Sequence, residues 1–519
     1  MKFPSPPFGP TTLALAGLCL AALGLPNARA QSVTADVDKA VIAEVAAHGE
    51  IMPNLTYLSD SIGARLTGSA ALTTATEWAE AKMRAYGLQN VRREPYTIPK
   101  GWVRGKVTGR LLSPVSDVDL SMAAIAWTPG TPGRIQGPVI EWTTRSIADI
   151  DRYKGKLKNA VILLQPPSDP AALTPATPDE TSVDAVFNHP PARHTAAARP
   201  GPALSPQEQF AFFKKSVQLF KAEHVGAILL DSGRPLGLLM MFGGWEDMGP
   251  LSATGAPVIM VVNDQYALLS RLAADAALPG GKPARIEIDD PSRIVPGTIT
   301  CYNVVGDLPG TGKPNEYVVL VAHLDSWDLA QGTTDNGTGT CVVLEAARAL
   351  VKSGQKPRRT IRFCLFTGEE EGDIGSTAFV KAHKDEMART SMCLVDDAGT
   401  GKTVGVHTQA WSAIPAVFTT EAAATLNGLG FSRVVPGSPI PGGGGGSDHD
   451  SFEEVGVPGF ILDQLDENYH LVFHSQQDTL DKADPAALTQ TADILALLGL
   501  HVADLPGLLP RDKPAAAKP

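Results

Sequence analysis

Five short clusters of imidazole and carboxylate side chains lie in the second half of the chain. They are Val321-Ala322-His323-Leu324-Asp325, Thr334-Asp335-Asn336-Gly337, Phe366-Thr367-Gly368-Glu369-Glu370-Glu371-Gly372, Asp396-Asp397-Ala398-Gly399 and His474-Ser475-Gln476-Gln477-Asp478-Thr479. Imidazole and carboxylate are good ligands for Zn2+, and a catalytic zinc keeps a position open for water. Five such groups cannot close two four-coordinate shells. They can hold two metals if one carboxylate bridges and a water bridges too, which is the arrangement of a two-metal hydrolytic site. Bound metal lowers the pKa of water and polarises a scissile carbonyl, and a neighbouring carboxylate then takes the water's proton. The pair Glu369-Glu370 suits this, because successive side chains point different ways and one can bind metal while the other faces water. Singly, each cluster reads as a solvated loop, a turn or a helix cap. Together they call for chemistry.

The elements that must position these clusters alternate from Asn303 onward. Strands are predicted at Tyr317–Ala322, Thr360–Phe366, Met392–Val395 and Gly459–Leu462, and helices at Cys341–Val351, Ser376–Ala388, Trp411–Leu429 and Pro485–Ala503. Strands that are apolar throughout, separated by helices, mean an α/β fold whose mostly parallel sheet is sandwiched by helices. Sites in such sheets form beyond the carboxyl ends of the strands, which is where each cluster falls. Residues 33–48 and 71–86 read as helices, the second with Thr74 as N-cap. From about Leu112 to residue 292 the texture becomes that of a separate β-rich module. Its strands are Gly137–Trp142, Ala160–Leu164, Gly226–Leu230 and Ala256–Val262, with a helix at Gln209–Glu223 and a Pro/Ala/Thr-rich loop over 166–207. The expected organisation is residues 1–30 as a signal peptide, 31–111 and 293–509 as two parts of one catalytic domain, 112–292 as the insertion, and 510–519 as a disordered tail.

Lys2, the uncharged apolar run Thr11–Leu25 and the small-x-small site Ala28-Arg29-Ala30 define the signal peptide. The run is too short to span a bilayer, which takes ~20 apolar residues, so the expectation is an exported protein, periplasmic or secreted, free of the membrane after cleavage. Without residues 1–30 the chain keeps 42 Lys and Arg against 55 Asp and Glu, a net charge of −13. That charge excludes nucleic acid as a partner class. Cys301, Cys341, Cys364 and Cys393 form no CxxC pair and read as buried free thiols.

Residues 315–480 resemble the zinc exopeptidase family that includes carboxypeptidase Q (plasma glutamate carboxypeptidase) and the bacterial leucyl aminopeptidases. The resemblance rests on Ala322-His323-Leu324-Asp325-Ser326-Trp327-Asp328, Asp397-Ala398-Gly399-Thr400 and the His474-Ser475-x-x-Asp478-Thr479 ending. It extends more loosely to residues 33–110, and residues 112–292 resemble the protease-associated domain inserted in this family. The resemblance implies two Zn2+. His323, Asp397 and one oxygen of Asp335 would bind one ion, and Glu370, His474 and the other oxygen of Asp335 would bind its neighbour. It makes Glu369 the general base and Asp325 the residue that orients His323. It also implies a short peptide substrate and a homodimer. His470 rivals His474 but lacks the Ser-x-x-Asp-Thr sequel. His383, His407 and His449 read as structural. Gly442–Gly446 reads as a flexible loop near the site that cradles no phosphate, since no Lys-Ser/Thr follows it. Arg65 and Arg433 are the cations that folding can bring into the site. Two other readings stand beside this one: a single-zinc glutaminyl cyclase on the same fold, against which His323 counts, and a metal-free receptor, against which the intact ligand set counts.

Overall fold

Strands apolar on both faces need cover on both faces, and the computed structural model of the chain supplies it. The structure describes residues 27–144, 146–168, 179–188, 205–276, 280–411, 423–435, 437, 446–467 and 469–512. An eight-stranded sheet runs in the order Gln89–Ile98, Ile299–Leu308, Arg359–Phe366, Lys313–His323, Thr390–Val395, Gly459–Gln464, Thr403–His407, Arg433–Val435. Its four central strands, from Arg359–Phe366 to Gly459–Gln464, are parallel. Antiparallel pairs flank them on both sides, and the outermost pair is again parallel. Every residue of Arg359–Phe366, Thr390–Val395 and Gly459–Gln464 is buried. On one face the helices Asn27–His48, Ala70–Tyr86, Thr338–Lys352 and Pro485–Asp504 build a core around Val318, Leu320, Leu344, Phe363 and Leu495. On the other, Ile374–Ala382 and His449–Glu453 pack Phe379 and Phe452 against Val319, Cys364 and Phe366. Pro485–Asp504 is long and apolar enough to cross a membrane, but it is mostly buried in this core.

The second sheet also has eight strands. Its order is Val118–Leu120, Thr108–Ser113, Arg285–Asp289, Ile135–Glu141, Val161–Leu163, Ala227–Asp231, Val258–Val261, Met122–Ala124. The inserted domain therefore begins at Thr108, slightly before the expected boundary. The chain enters and leaves it through an antiparallel neck, Gly101–Val103 against Arg293–Val295. The four cysteines are buried and unpaired.

Several boundaries differ from expectation, each for a local reason. The first helix starts at Asn27 and runs through Ala28-Arg29-Ala30. Helix Ala70–Tyr86 is capped by Ser69, whose hydroxyl accepts from the Leu72 N–H, and not by Thr74, whose hydroxyl donates back to the Ala70 carbonyl. The helix expected over 376–388 breaks at His383 into Ile374–Ala382 and Lys384–Met387. The His383 ring is held there between Glu94 and Glu386. The strands Gln89–Ile98 and Ile299–Leu308 escape a hydropathy reading because Gln89–Ile98 is an edge strand with only three buried residues. The apolar run of the signal peptide, most of the 166–207 loop, the first part of the helix expected at 411–429, Gly442–Gly445 and most of the tail lie outside the described residues.

The corrected cap generates a test. Ser69→Ala removes the acceptor for an orphan N–H and is expected to destabilise the chain by ~1 kcal/mol. Thr74→Ala, on an exposed helix face, should stay within about 0.5 kcal/mol. Urea unfolding midpoints of the two variants check this.

Candidate metal centre

All five clusters meet at the carboxyl ends of the central strands. His323 is the last residue of Lys313–His323, at the middle of the sheet. Its neighbour Leu324 still donates to the Phe366 carbonyl (2.7 Å), and the Thr340 hydroxyl caps the His323 carbonyl (2.8 Å). Asp335 precedes helix Thr338–Lys352, Glu369 and Glu370 follow strand Arg359–Phe366, and Asp397 follows Thr390–Val395. His474 follows the short helix Tyr469–Val472 with a φ of +57°, a conformation that turns its ring back into the sheet.

The distances divide these residues into two sets that share Asp335. His323 Nε2 lies 3.2 Å from Asp335 Oδ1 and 3.3 Å from Asp397 Oδ1. His474 Nε2 lies 3.2 Å from Asp335 Oδ2 and 3.0 Å from Glu370 Oε2. The triads His323/Asp335/Asp397 and Asp335/Glu370/His474 each converge within 4.8 Å. Both imidazoles are oriented from behind by backbone carbonyls: His323 Nδ1–H donates to Asp325 O (3.1 Å) and His474 Nδ1–H to Met241 O (3.0 Å). A carbonyl only accepts, so each Nδ1 carries a proton and each Nε2 is the ring nitrogen left to face the carboxylate oxygens, the atom free to ligate a metal ion. Contacts of this length need a positive charge between nitrogen and oxygen, which a proton or a metal ion supplies. The donor set, imidazole and carboxylate with Asp335 offering one oxygen to each side, fits zinc. The Asp325 carboxylate, expected to orient His323, is 3.6 Å from Nδ1, farther than its own backbone carbonyl. Its Oδ2 instead accepts from the Thr67 hydroxyl and the Glu370 N–H.

Around this centre the described residues add no Lys or Arg, and the carboxylates are held in a strongly repulsive setting. Burial drives the Glu369 carboxyl far above its ordinary range, with Asp397, Asp373 and Glu370 adding to the shift against His323. Burial, against the pull of His474, lifts Glu370 to about 7. Burial opposes charge on His474, yet Glu370 and Asp335 carry its pKa up to about 10. The cavity over the centre has a volume of about 400 Å³. One wall is apolar, from Val186, Ile461, Tyr469 and Phe473. The other carries Glu371, Asp373 and Asp247 beside the ligand candidates, and among the described residues no Lys or Arg lines it. Arg65 does not reach the cavity. It is fully buried and donates to the carbonyls of Leu324, Gly63, Gln331 and Gly332 (2.6–3.1 Å), tying the His323 loop to the Asp335 loop. Arg433 bonds the Asp179 carbonyl at the surface.

Asp478, visible in the sequence only as a partner of His474 in a pattern, accepts from Thr334 N (2.6 Å), Thr334 Oγ1 (2.7 Å) and Asp335 N (3.2 Å), and so fixes the bridging residue. The inserted domain contributes Gly243 and Asp247 to the cavity, and its Met241 exchanges two hydrogen bonds with His474, since Met241 N also donates to His474 O (2.9 Å). Nothing in the sequence signals a backbone acceptor so distant in the chain. The other histidines have separate partners: His470 with Asp466, His383 with Glu94 and Glu386, His407 with Asp463 at 3.4 Å, and His449 with Gln409 at 3.0 Å.

Residues 303–499 match the sequence profile of peptidase family M28. Carboxypeptidase Q of Xenopus laevis is 26% identical over 483 residues, covering 92% of this chain and 91% of that protein. The crystal structure of a peptidase M28 precursor from Shewanella amazonensis superposes with a TM-score of 0.70 at 24% identity, over 94% of this chain and 100% of that one. A zinc aminopeptidase from Bacillus subtilis gives a TM-score of 0.57 at 18% identity, over 86% and 93%. Residues 303–499 thus resemble the peptidases of family M28, and the chain is a metallopeptidase.

Proposed function

We propose that this protein is an exported dizinc exopeptidase that removes residues from the free amino terminus of short peptides. The observation that carries this reading is the sharing of Asp335 between two histidines whose Nε2 atoms both face carboxylates. When bound, the ions supply a water of lowered pKa and polarise the scissile carbonyl. Glu369, whose carboxylate oxygen is 3.9 Å from His323 Nε2 and which lines the cavity without belonging to either triad, takes the water's proton. Glu369 then delivers that proton to the leaving amine. Asp335 and the two histidines stay fixed by Asp478 and the backbone carbonyls of Asp325 and Met241. A single-zinc reading would leave one of the two triads without a purpose. Export rests on the N-terminal segment, and a homodimer on the resemblance to carboxypeptidase Q. N-terminal sequencing of the mature protein, expected to begin at Gln31, and light scattering check these.

Recognition of the amino end rests on charge. A terminal carboxylate needs a cation, ideally the bidentate fork of an arginine, and among the described residues the charged groups lining the cavity are carboxylates apart from His474. A terminal ammonium meets favourable charge there.

Three outcomes test the proposal. A chelator should abolish dipeptide hydrolysis and Zn2+ should restore it, with metal analysis giving two ions per chain; full activity in stripped protein would sink the reading. Glu369→Gln should retain both metals while kcat falls by ~10²–10⁴, whereas Asp335→Ala should disturb both; zinc loss in Glu369→Gln with retention in Glu370→Gln would reverse the two roles. Comparing kcat/KM for a dipeptide, its N-acetyl form and its C-terminal amide, acetylation should cost far more than amidation. The opposite order would make the enzyme a carboxypeptidase.

A further inference from the structure

Asp373 combines features that its local structure does not explain. It has φ +55°, the left-handed region that a non-glycine residue enters only with strain. It occupies the N-cap position of helix Ile374–Ala382, where aspartate ordinarily accepts a hydrogen bond from the first turn, yet its side chain makes no cap bond. Its Oδ1 is buried with no hydrogen-bond partner. The carboxylate lines the cavity together with Glu369 and Asp397. Burial, followed by Asp450 and Asp397, pushes its carboxyl up to about 7. A strained backbone, an unused cap and an unpartnered carboxylate at the cavity wall are three costs with no return inside the protein.

We infer that Asp373 is the anchor for the substrate's α-ammonium group and so sets the requirement for a free amino terminus. This rests on the amino-terminal reading above. The α-nitrogen is separated from the scissile carbonyl carbon by a single Cα, so its partner must stand beside the catalytic groups, and Asp373 shares their cavity. The two other non-ligand acids of that wall are worse placed. Both oxygens of Glu371 are likewise buried and unpartnered, whereas for Asp373 only Oδ1 is, and the strongest charged neighbour of Glu371 is Asp325. Asp247 Oδ2 already accepts from the Gly244 N–H, and Asp247 sits on the exposed side of the inserted loop. An ammonium at Asp373 supplies the missing donor and the missing positive charge at once, as a charge-assisted hydrogen bond.

The test uses Asp373→Gly and Asp373→Asn in the zinc-loaded full chain, with alanyl-leucine and its N-acetyl form as substrates. Glycine adopts the left-handed conformation freely, and asparagine keeps the shape while removing the charge. In both variants KM for the free dipeptide should rise at least ~10-fold with kcat within about 3-fold, while the slow hydrolysis of the acetylated form stays unchanged. Zinc content should be unaltered, and the Tm of Asp373→Gly should equal or exceed that of the parent. Retained preference for the free dipeptide in both variants would overturn the assignment to Asp373 and leave the amino-terminal reading standing. A parent enzyme that cleaves both substrates equally would overturn the two together. Equal losses on both substrates, tracking lost zinc or a lowered Tm, would make Asp373 structural and reject the anchor.

Discussion

The centre is governed by one electrostatic constraint: carboxylates from three loops are pressed together around two imidazoles, with no Lys or Arg among the described residues that line it. Such a cluster is strongly self-repulsive in a buried setting. The rest of the catalytic domain reads as the means of holding it together. Arg65 spends its guanidinium on four backbone carbonyls and keeps its charge away from the cavity. Asp478 spends its carboxylate on the hydroxyl and N–H groups of Thr334 and Asp335. Asp396, next to the ligand candidate Asp397, turns to Gln464 (2.9 Å) and is raised to about 8 by burial and then by Asp397. Each of these groups is polar and buried, Arg65 and Asp478 bonded to the loops that carry the ligand candidates and Asp396 to the end of strand Gly459–Gln464, so the protein itself holds these loops in place.

The sheet explains why the loops meet at all. Parallel strands place their carboxyl ends on one edge, and His323, Glu369-Glu370 and Asp397 leave from three adjacent central strands. The imidazole and carboxylate groups thus reach one volume through short connections, while His474 arrives from a separate loop with an unusual backbone conformation.

Much of this was legible in the sequence because the relevant signals are local. Unbroken apolar runs such as Tyr317–Ala322 announce buried strands, and acidic or histidine residues placed directly after them announce a site. What escaped is what depends on distant parts of the chain. The Met241 carbonyl has no side-chain signature, and Asp325 was read by its carboxylate when its backbone oxygen lies closer to His323. Arg65 looked available as a free cation because burial is invisible in a loop of small residues. Thr74 looked like a cap, but the helix begins earlier, at Ala70, and Ser69 precedes it. The break at His383 is imposed by Glu94, almost three hundred positions away.

The paired hydrogen bonds between Met241 and His474 join the inserted domain to the innermost part of its host. The neck Gly101–Val103 with Arg293–Val295 gives the impression of a module that could be lifted out. Excision at that neck would strip one imidazole of the acceptor that fixes its tautomer and would remove a wall of the cavity. The insertion has thus become irreversible in an architectural sense: the host no longer contains a complete active centre by itself. A displacement of the guest about its neck would move the carbonyl that orients His474, so the placement of the insertion and the geometry of the metal centre are mechanically linked.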